Sequence, residues 1–440
     1  MKKVIILAYD FPPYVSVGGL RPYNWYKYMH ENEIYPIIIT RQWNNKNGNY
    51  IDYISNSKSK KTIFRKNKQG LIIETPYKPN LSNKILLKYG PNKYELIRKL
   101  ISGFYEIFQY LFDIGPKINI YLEANNYLKK KKVDLIIATG EPFVLFKYAS
   151  KLSNKHNIPW IADYRDPWTQ DKNRGDNFIR KSWDSFNERK FLKNVTLIST
   201  VSESFKNQIN LNIKGKKFLI ITNGYDSNAI QNVQNIKQNT KNLSIGFVGT
   251  IYKWHPLESF LAECDKFILK TKNVKFQINF YGINIENELE EIIKSKYPKL
   301  RRYVKIYPKL QNERILAKLS KNNLLLLFNY YSYMGTKIYD YLALKRLILL
   351  CYSDDKEANF LKNKFFNIED GSNIMLQEEL LNETESGIVI KNANDLQNNL
   401  SKLYEEFLEN KKIKCKSKKI EFYSRKIQTK KLCLEFHKII

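Results

Sequence analysis

Gly335-Thr336-Lys337-Ile338-Tyr339-Asp340-Tyr341-Leu342-Ala343-Leu344 lies between two apolar runs. Leu324-Leu325-Leu326-Leu327-Phe328-Asn329 precedes it and Leu347-Ile348-Leu349-Leu350-Cys351 follows. The pattern reads as strand, loop, short helix, strand. Runs that are apolar on both faces belong to parallel sheets covered by helices. The Gly-Thr turn opens the helix, whose amide end can hold an anion. Lys337 adds positive charge, and Asp340 lies about one turn inside, where a carboxylate can take a sugar diol. A phosphate binder so close to a diol acceptor suggests a nucleotide-sugar site. The alternative is a buried helix in which Asp340 only favours the N-terminal dipole, worth ~0.3–1 kcal/mol.

The same alternation runs outward through the chain. Residues 4–9, 35–40, 133–139, 160–164, 195–200 and 218–222 form one series of strand candidates. Residues 243–248, 274–280, 303–307, 324–328 and 347–351 form a second. Between them, 227–242 is rich in Asn and Gln with few apolar residues and reads as a linker. The expected fold class is α/β, with two Rossmann-like domains facing a central cleft. Residues 1–226 form the first domain and 243–415 the second, while 416–440 form a C-terminal helix that packs back on the first. The stretch 41–68, rich in Asn and Lys, reads as a solvated insertion.

Doubly wound sheets bind ligands beyond the carboxyl ends of their strands, so the loops there carry the candidates. After the first strand, the paired glycines Gly18 and Gly19 open a helix where backbone amides can approach a ligand without a Cβ in the way. Arg21 in its first turn fits an anion; an ordinary turn is the alternative. After 133–139, Glu141 either faces a substrate or serves as a helix-start acid. Asp163-Tyr164-Arg165-Asp166-Pro167-Trp168 places three charges at one strand end, which must be solvated, paired or in use. Arg165 and Asp166 are candidates for a site, with a structural Arg165–Asp salt bridge as the competing reading. In the second series Gly249-Thr250-Ile251-Tyr252-Lys253 follows the first strand, where a phosphate fits with Lys253 as its cation; a solvated lysine is the alternative.

Composition narrows the partners. The 440 residues carry a formal charge of +31, which calls for an anionic partner or reflects scattered Lys. Residues at helical spacing between Leu96 and Phe112 form an apolar stripe with Lys84, Lys88, Lys93, Arg98 and Lys99 about it. It suits either an anionic bilayer or a protein core. The four cysteines and four histidines are scattered, without metal-ligand spacing or a disulfide framework. No apolar run approaches the ~18 residues of a membrane span, and the expected location is cytoplasmic. A basic nucleic-acid-binding protein should interleave exposed aromatics with its charge. The aromatics here fall mostly in strand and helix patterns.

Taken in order, several motifs carry a resemblance. They are Tyr-Asp-Phe-Pro-Pro with Val-Gly-Gly-Leu-Arg within 9–21, Ala-Thr-Gly-Glu-Pro-Phe at 138–143, and Ala-Asp-Tyr-Arg-Asp-Pro-Trp at 162–168. Ser-Thr-Val-Ser-Glu at 199–203, Thr-Asn-Gly-Tyr-Asp at 222–226, Phe-Val-Gly-Thr at 247–250 and the 335–344 run complete the set. Together they resemble the retaining group 1 (glycogen-synthase-like) glycosyltransferases with the GT-B architecture, of the kind that build bacterial surface polysaccharides. The resemblance implies a nucleotide-sugar donor held mainly by the second domain, at Gly249, Thr250, Thr336, Lys337 and Asp340, with Gly18, Gly19 and Arg21 from the first. It maps the family's ribose-binding glutamate onto Asp340 and the partner acid eight positions earlier onto Ser332. Where relatives carry Gly-Lys-Pro and an acceptor-side histidine, this chain has Lys345-Arg346-Leu347 and Phe143.

The implied reaction is retaining transfer without metal or other cofactor. Fixed cations and helix amides, with Lys253 and Lys337 foremost, stabilise the leaving diphosphate. Glu141, Arg165 and Asp166 are the other candidate catalytic residues. The implied acceptor is a lipid-linked or oligosaccharide substrate at the inner face of the cell membrane, with no specific nucleic acid. The other functional readings are a sugar-nucleotide epimerase of the same fold and a non-enzymatic nucleic-acid binder.

Overall fold

The structure is a computed structural model that describes the chain except Val15, 45–49, 172–176, 311, 369–371 and the side chains of 312 and 313. It divides into two compact units, Met1–Thr222 with Lys426–Ile440, and Asn223–Arg425.

The first unit is built on β1 (Lys2–Leu7), β2 (Ile34–Arg41), β3 (Ile63–Lys66), β4 (Leu71–Thr75), β5 (Leu135–Gly140), β6 (Trp160–Tyr164), β7 (Leu197–Thr200) and β8 (Phe218–Ile220). Their order is β3-β4-β2-β1-β5-β6-β7-β8, parallel except for β3 against β4. β1 shows why the sheet is covered on both faces. Ile5 and Leu7 enter one core with Ile37 and Phe146, while Val4 and Ile6 enter another with Trp25 and Ile161. The second core is completed by Leu432, Cys433 and Phe436 of the last helix, Arg425–Ile439. Ion pairs from Lys426 to Glu31 (2.7 Å) and from Lys217 to Glu435 fix that helix at its edges.

β3 falls within the stretch read as a solvated insertion, and β4 follows it. β3 is an edge strand whose Phe64 is exposed, so it lacks the two-faced apolar signature. Residues 45–49 of that stretch lie outside the described residues.

The second unit holds β9 (Leu243–Val248), β10 (Phe276–Tyr281), β11 (Val304–Tyr307), β12 (Leu324–Phe328), β13 (Leu347–Cys351) and β14 (Gly387–Ile390). All are parallel, in the order β11-β10-β9-β12-β13-β14. Residues 227–242, expected as a linker, pack within this unit. Ile230 and Val233 are buried in its core, and Asn323 Nδ2 donates to Gln238 Oε1 and to the carbonyl of Asn239. The polar composition that suggested a linker is engaged in hydrogen bonds.

Each sheet has one place where the strand order turns back on itself, and there the loops diverge and leave a crevice. In the first unit it lies between β1 and β5, in the second between β9 and β12.

Candidate functional site

At the β9–β12 switch point, Gly249 leaves β9 with φ +82°, a conformation glycine adopts without a Cβ penalty. Its amide donates to the carbonyl of Tyr281 at 3.0 Å. Opposite, the Lys337–Leu344 helix buries Ile338, Tyr339, Tyr341 and Leu342, which fixes its first turn over the crevice. The Tyr341 hydroxyl accepts from the amide of Val248 at 3.1 Å and ties the helix to the end of β9. Thr336 takes the N-cap position in helical conformation and makes no side-chain cap. The helix therefore presents amides of the kind that anions satisfy.

Lys337 crosses the switch point. Its Nζ lies 3.8 Å from where a Cβ on Gly249 would sit and 4.2 Å from the centre of the Phe247 ring. Desolvation alone brings its pKa down to about 7. The buried His255 beneath is likewise held well below its usual range by burial, with Lys337 adding to the effect. Asp340, half-buried in the first turn, has its carboxyl pushed up to about 6 by burial, opposed by Arg425 and reinforced by Asp226. Neither Lys337 nor Asp340 makes a hydrogen bond or ion pair among the described residues. Thr250 and Lys253 are exposed on the loop after β9, with the Lys253 ammonium 6.0 Å from the Phe365 ring. Gly249, Thr336, Lys337 and Asp340 thus fall on one crevice, with Thr250 and Lys253 on its rim.

One group of residues there was not read from the sequence. Tyr252, Trp254 and Tyr330 lie with near-parallel planes, their centroids 4.6, 5.4 and 5.7 Å apart. Phe366 meets Trp254 edge-on at 5.3 Å. Its only sequence signal is aromatics directly after two adjacent strands. Ser332, which stands where the resemblance places an acid, is buried. Two cavities in this unit, of about 550 and 450 Å³, are lined by other residues, among them Leu381 and Glu406 in one and Gln277 and Lys318 in the other.

The first unit's switch point is differently organised. Arg21, expected to face an anion, is buried. Its Nη2 lies 2.8 Å from Asp163 Oδ1, and its Nη1 donates to the Ile221 carbonyl at 2.7 Å. Ser199 Oγ donates to the same carboxylate at 2.7 Å. The pair is a structural clamp between the first helix and β6. It corrects the anion reading of Arg21, because a guanidinium enclosed with its own carboxylate has no face left for a ligand.

The amides of Gly18 and Gly19 are engaged within the unit. The Gly18 amide donates to Ser16 Oγ and the Gly19 amide to the Ser16 carbonyl. A Cβ on Gly18 would lie 1.8 Å from Arg165 Nη1 and 2.9 Å from Asp10 Oδ2. Glycine is required there by neighbouring side chains of the same unit.

Arg165 reaches two backbone carbonyls. Its Nε donates to the Gly140 carbonyl at 2.6 Å and its Nη2 to the Glu141 carbonyl at 2.9 Å, joining the loops after β5 and β6. Asp10, beside it, accepts from Ser16 Oγ at 2.5 Å, and burial raises its pKa against that bond and the Arg165 charge. Glu141 and Asp166 are exposed at the strand ends. Phe143 stacks on Trp168 at 4.9 Å with planes 5° apart. The loop after β6 is anchored from below by Glu188, which accepts from Thr169, Gln170, Tyr164 and Asn212. Burial raises the Glu188 carboxyl against these four bonds.

Among the described residues, no group of three or more His, Cys, Asp or Glu is placed to hold a metal ion. No described helix is long and apolar enough to cross a membrane.

No protein-family model matches the chain, and a search of curated proteins finds no match. Solved structures do match over the full length. Sucrose-phosphate synthase from Thermosynechococcus elongatus has a TM-score of 0.55 at 12% identity, over 99% of this chain and 94% of that one. A glycosyltransferase from Rickettsia africae gives 0.56 at 13%, over 100% and 98%. The structure of trehalose-6-phosphate from E. coli bound with UDP-2-fluoro glucose gives 0.54 at 10%, over 99% and 96%. At these identities the likeness is one of fold, and the fold is GT-B.

Proposed function

We propose that this chain is a glycosyltransferase that moves a sugar from a nucleotide-sugar donor to a lipid-linked or oligosaccharide acceptor in cell-surface polysaccharide synthesis. The observation that carries the reading is the β9–β12 crevice. A helix N-terminus without a side-chain cap, and a lysine and a carboxylate that make no hydrogen bond or ion pair among the described residues, follow one another there along a single helix. Likeness in fold to a structure bound with UDP-2-fluoro glucose supports the same donor class.

In the proposed reaction the diphosphate lies on the amides after Thr336 and against Lys337, with Lys253 on the rim, while Asp340 accepts from the ribose diol. The bond from the anomeric carbon to the phosphate oxygen breaks, and the acceptor oxygen bonds to that carbon. The acceptor proton passes to the leaving diphosphate. Negative charge grows on the diphosphate, where helix amides and lysines stabilise it without a metal. Attack from the leaving-group side gives retention and asks for no enzyme nucleophile. Glu141, Arg165 and Asp166, at the strand ends of the first unit, are assigned to the acceptor side, Arg165 by holding the two loops.

A membrane-bound acceptor is supported by the Glu95–Phe108 helix, none of whose residues is buried. Leu96, Leu100 and Phe104 are 77%, 76% and 50% exposed, and Lys84, Lys88, Lys93 and Lys99 are exposed about them. Such a face with such charge suits the anionic cytoplasmic leaflet as a peripheral contact.

The test is a thermal-shift panel of UDP, GDP, ADP and CMP, followed by turnover of the matching nucleotide sugars in EDTA with and without a polyprenyl-linked saccharide. Stabilisation by one nucleoside diphosphate and acceptor-dependent release of it are expected. Donor conversion without acceptor makes the protein an epimerase, and no nucleotide binding at all ends the reading.

A further inference from the structure

The aromatic cluster after β9 and β12 adjoins the candidate anion site. Tyr330 Cδ1 lies 3.7 Å from where a Cβ on Gly335 would sit. From there the features run in a fixed order: the flat ring of Tyr330, Gly335, the uncapped turn at Thr336, Lys337, and Asp340 within the first turn. Tyr252, with 37% of its surface exposed, and Trp254 stack on Tyr330 with near-parallel planes and brace its ring.

A nucleotide sugar has its own fixed order of base, ribose, two phosphates and sugar. With the ribose diol at Asp340 and the diphosphate at the helix amides and Lys337, the group beyond the second phosphate reaches Gly335 and Tyr330. That group is the sugar; the base leaves in the opposite direction. Tyr330 is the ring that adjoins Gly335, so its face is the surface the sugar meets there. Aromatic faces take the apolar C–H face of a hexose, because its hydrogens point at the negative π cloud.

We propose that Tyr330, supported by Trp254 and Tyr252, is the platform for the apolar face of the transferred sugar and selects the donor by that face. This rests on the donor reading of the same crevice. It is tested by calorimetry of UDP-glucose, UDP-N-acetylglucosamine and GDP-mannose, each against its own nucleoside diphosphate. In Tyr330→Ala the ratio of nucleotide-sugar to nucleoside diphosphate affinity is expected to fall about 2- to 10-fold for at least one pair. Affinity for the bare diphosphate should be kept, and Tyr330→Phe should keep the ratio. Tyr252→Ala, on an exposed ring, should lower it to a smaller extent and serves where Tyr330→Ala does not fold. An unchanged ratio, or equal losses for sugar-bearing and bare nucleotide, overturns the platform and leaves the donor site standing. A wild-type protein that binds none of these compounds overturns both.

Discussion

At the β1–β5 switch point Arg21 is held by Asp163, Arg165 by two backbone carbonyls and Asp10 by Ser16. At the β9–β12 switch point Lys337 and Asp340 have no such partner among the described residues, and desolvation moves both toward their neutral forms. The same topological position thus serves two purposes. In the first unit charge is used internally to join the loops on which exposed Glu141 and Asp166 sit. In the second, charge is left unpaired at a cost to the fold, and a ligand with phosphates and a diol would satisfy it.

The strongest way to break this comparison is to remove a paired charge. Leaving one member of a buried ion pair alone typically costs about 3–5 kcal/mol. Asp163→Ala should therefore lower the stability of the first unit by that order, read from the denaturant midpoint, and Arg21→Ala should do likewise. The double substitution should cost less than the two together, because neither leaves a lone charge. A loss below about 1 kcal/mol, the range of an exposed pair, would show that the clamp is not structural.

The unpaired residues should respond with the opposite sign. Asp340→Asn and Lys337→Met remove charges that make no hydrogen bond or ion pair among the described residues and whose desolvation is the largest influence on them, so stability should hold or rise. A hydrogen bond to a charged group is worth about 1.5–3 kcal/mol, so kcat/KM should fall roughly 10- to 150-fold in each. Nucleotide affinity unchanged in both variants would remove these residues from the site.

The pH dependence follows from the same shifts. The Asp340 pKa rises from 3.8 to about 6 on folding, so its contribution to stability declines as pH rises through that interval. The Lys337 pKa falls from 10.5 to about 7, so its contribution declines as pH falls from about 10.5 to 7. At pH 8 Lys337 is mostly neutral. Binding a diphosphate should raise its pKa and draw in a proton, which calorimetry in buffers of different ionisation heat would detect. Lys337→Met should abolish that uptake.

Sequence showed the frame of both units because their central strands are apolar on both faces. β3 and the short edge strand β14 lack that signature, and 227–242 looks solvated until Asn323 is seen to bond the Gln238 side chain and Arg346 the Ile236 carbonyl. The helix at 337–344 was legible because its lysine and aspartate are close in sequence. Arg21 and Asp163 are 142 residues apart, so a first-turn arginine beside two glycines carries no sign that its partner is an aspartate on β6. The demand for glycine at 18 is likewise set by Arg165, and only packing reveals whose side chain fills the missing Cβ.

One element of the first unit departs from its pattern of internal satisfaction. The Glu95–Phe108 helix leaves Leu96, Ile97, Leu100 and Phe104 of its apolar side half or more exposed. If that side meets an anionic bilayer, its contribution divides into small parts, about 1 kcal/mol for each basic residue near the surface. Replacing Lys88 or Lys93 with Ala should then weaken binding to vesicles containing anionic lipid by about 5-fold each. Raising salt should release the protein, since the attraction is screened beyond about 10 Å at 0.1 M. Phe104→Ser, at a half-exposed position, should weaken binding without lowering the melting temperature. Unfolding of Phe104→Ser would make the helix part of a core, and equal binding to neutral and anionic vesicles would remove the electrostatic attraction.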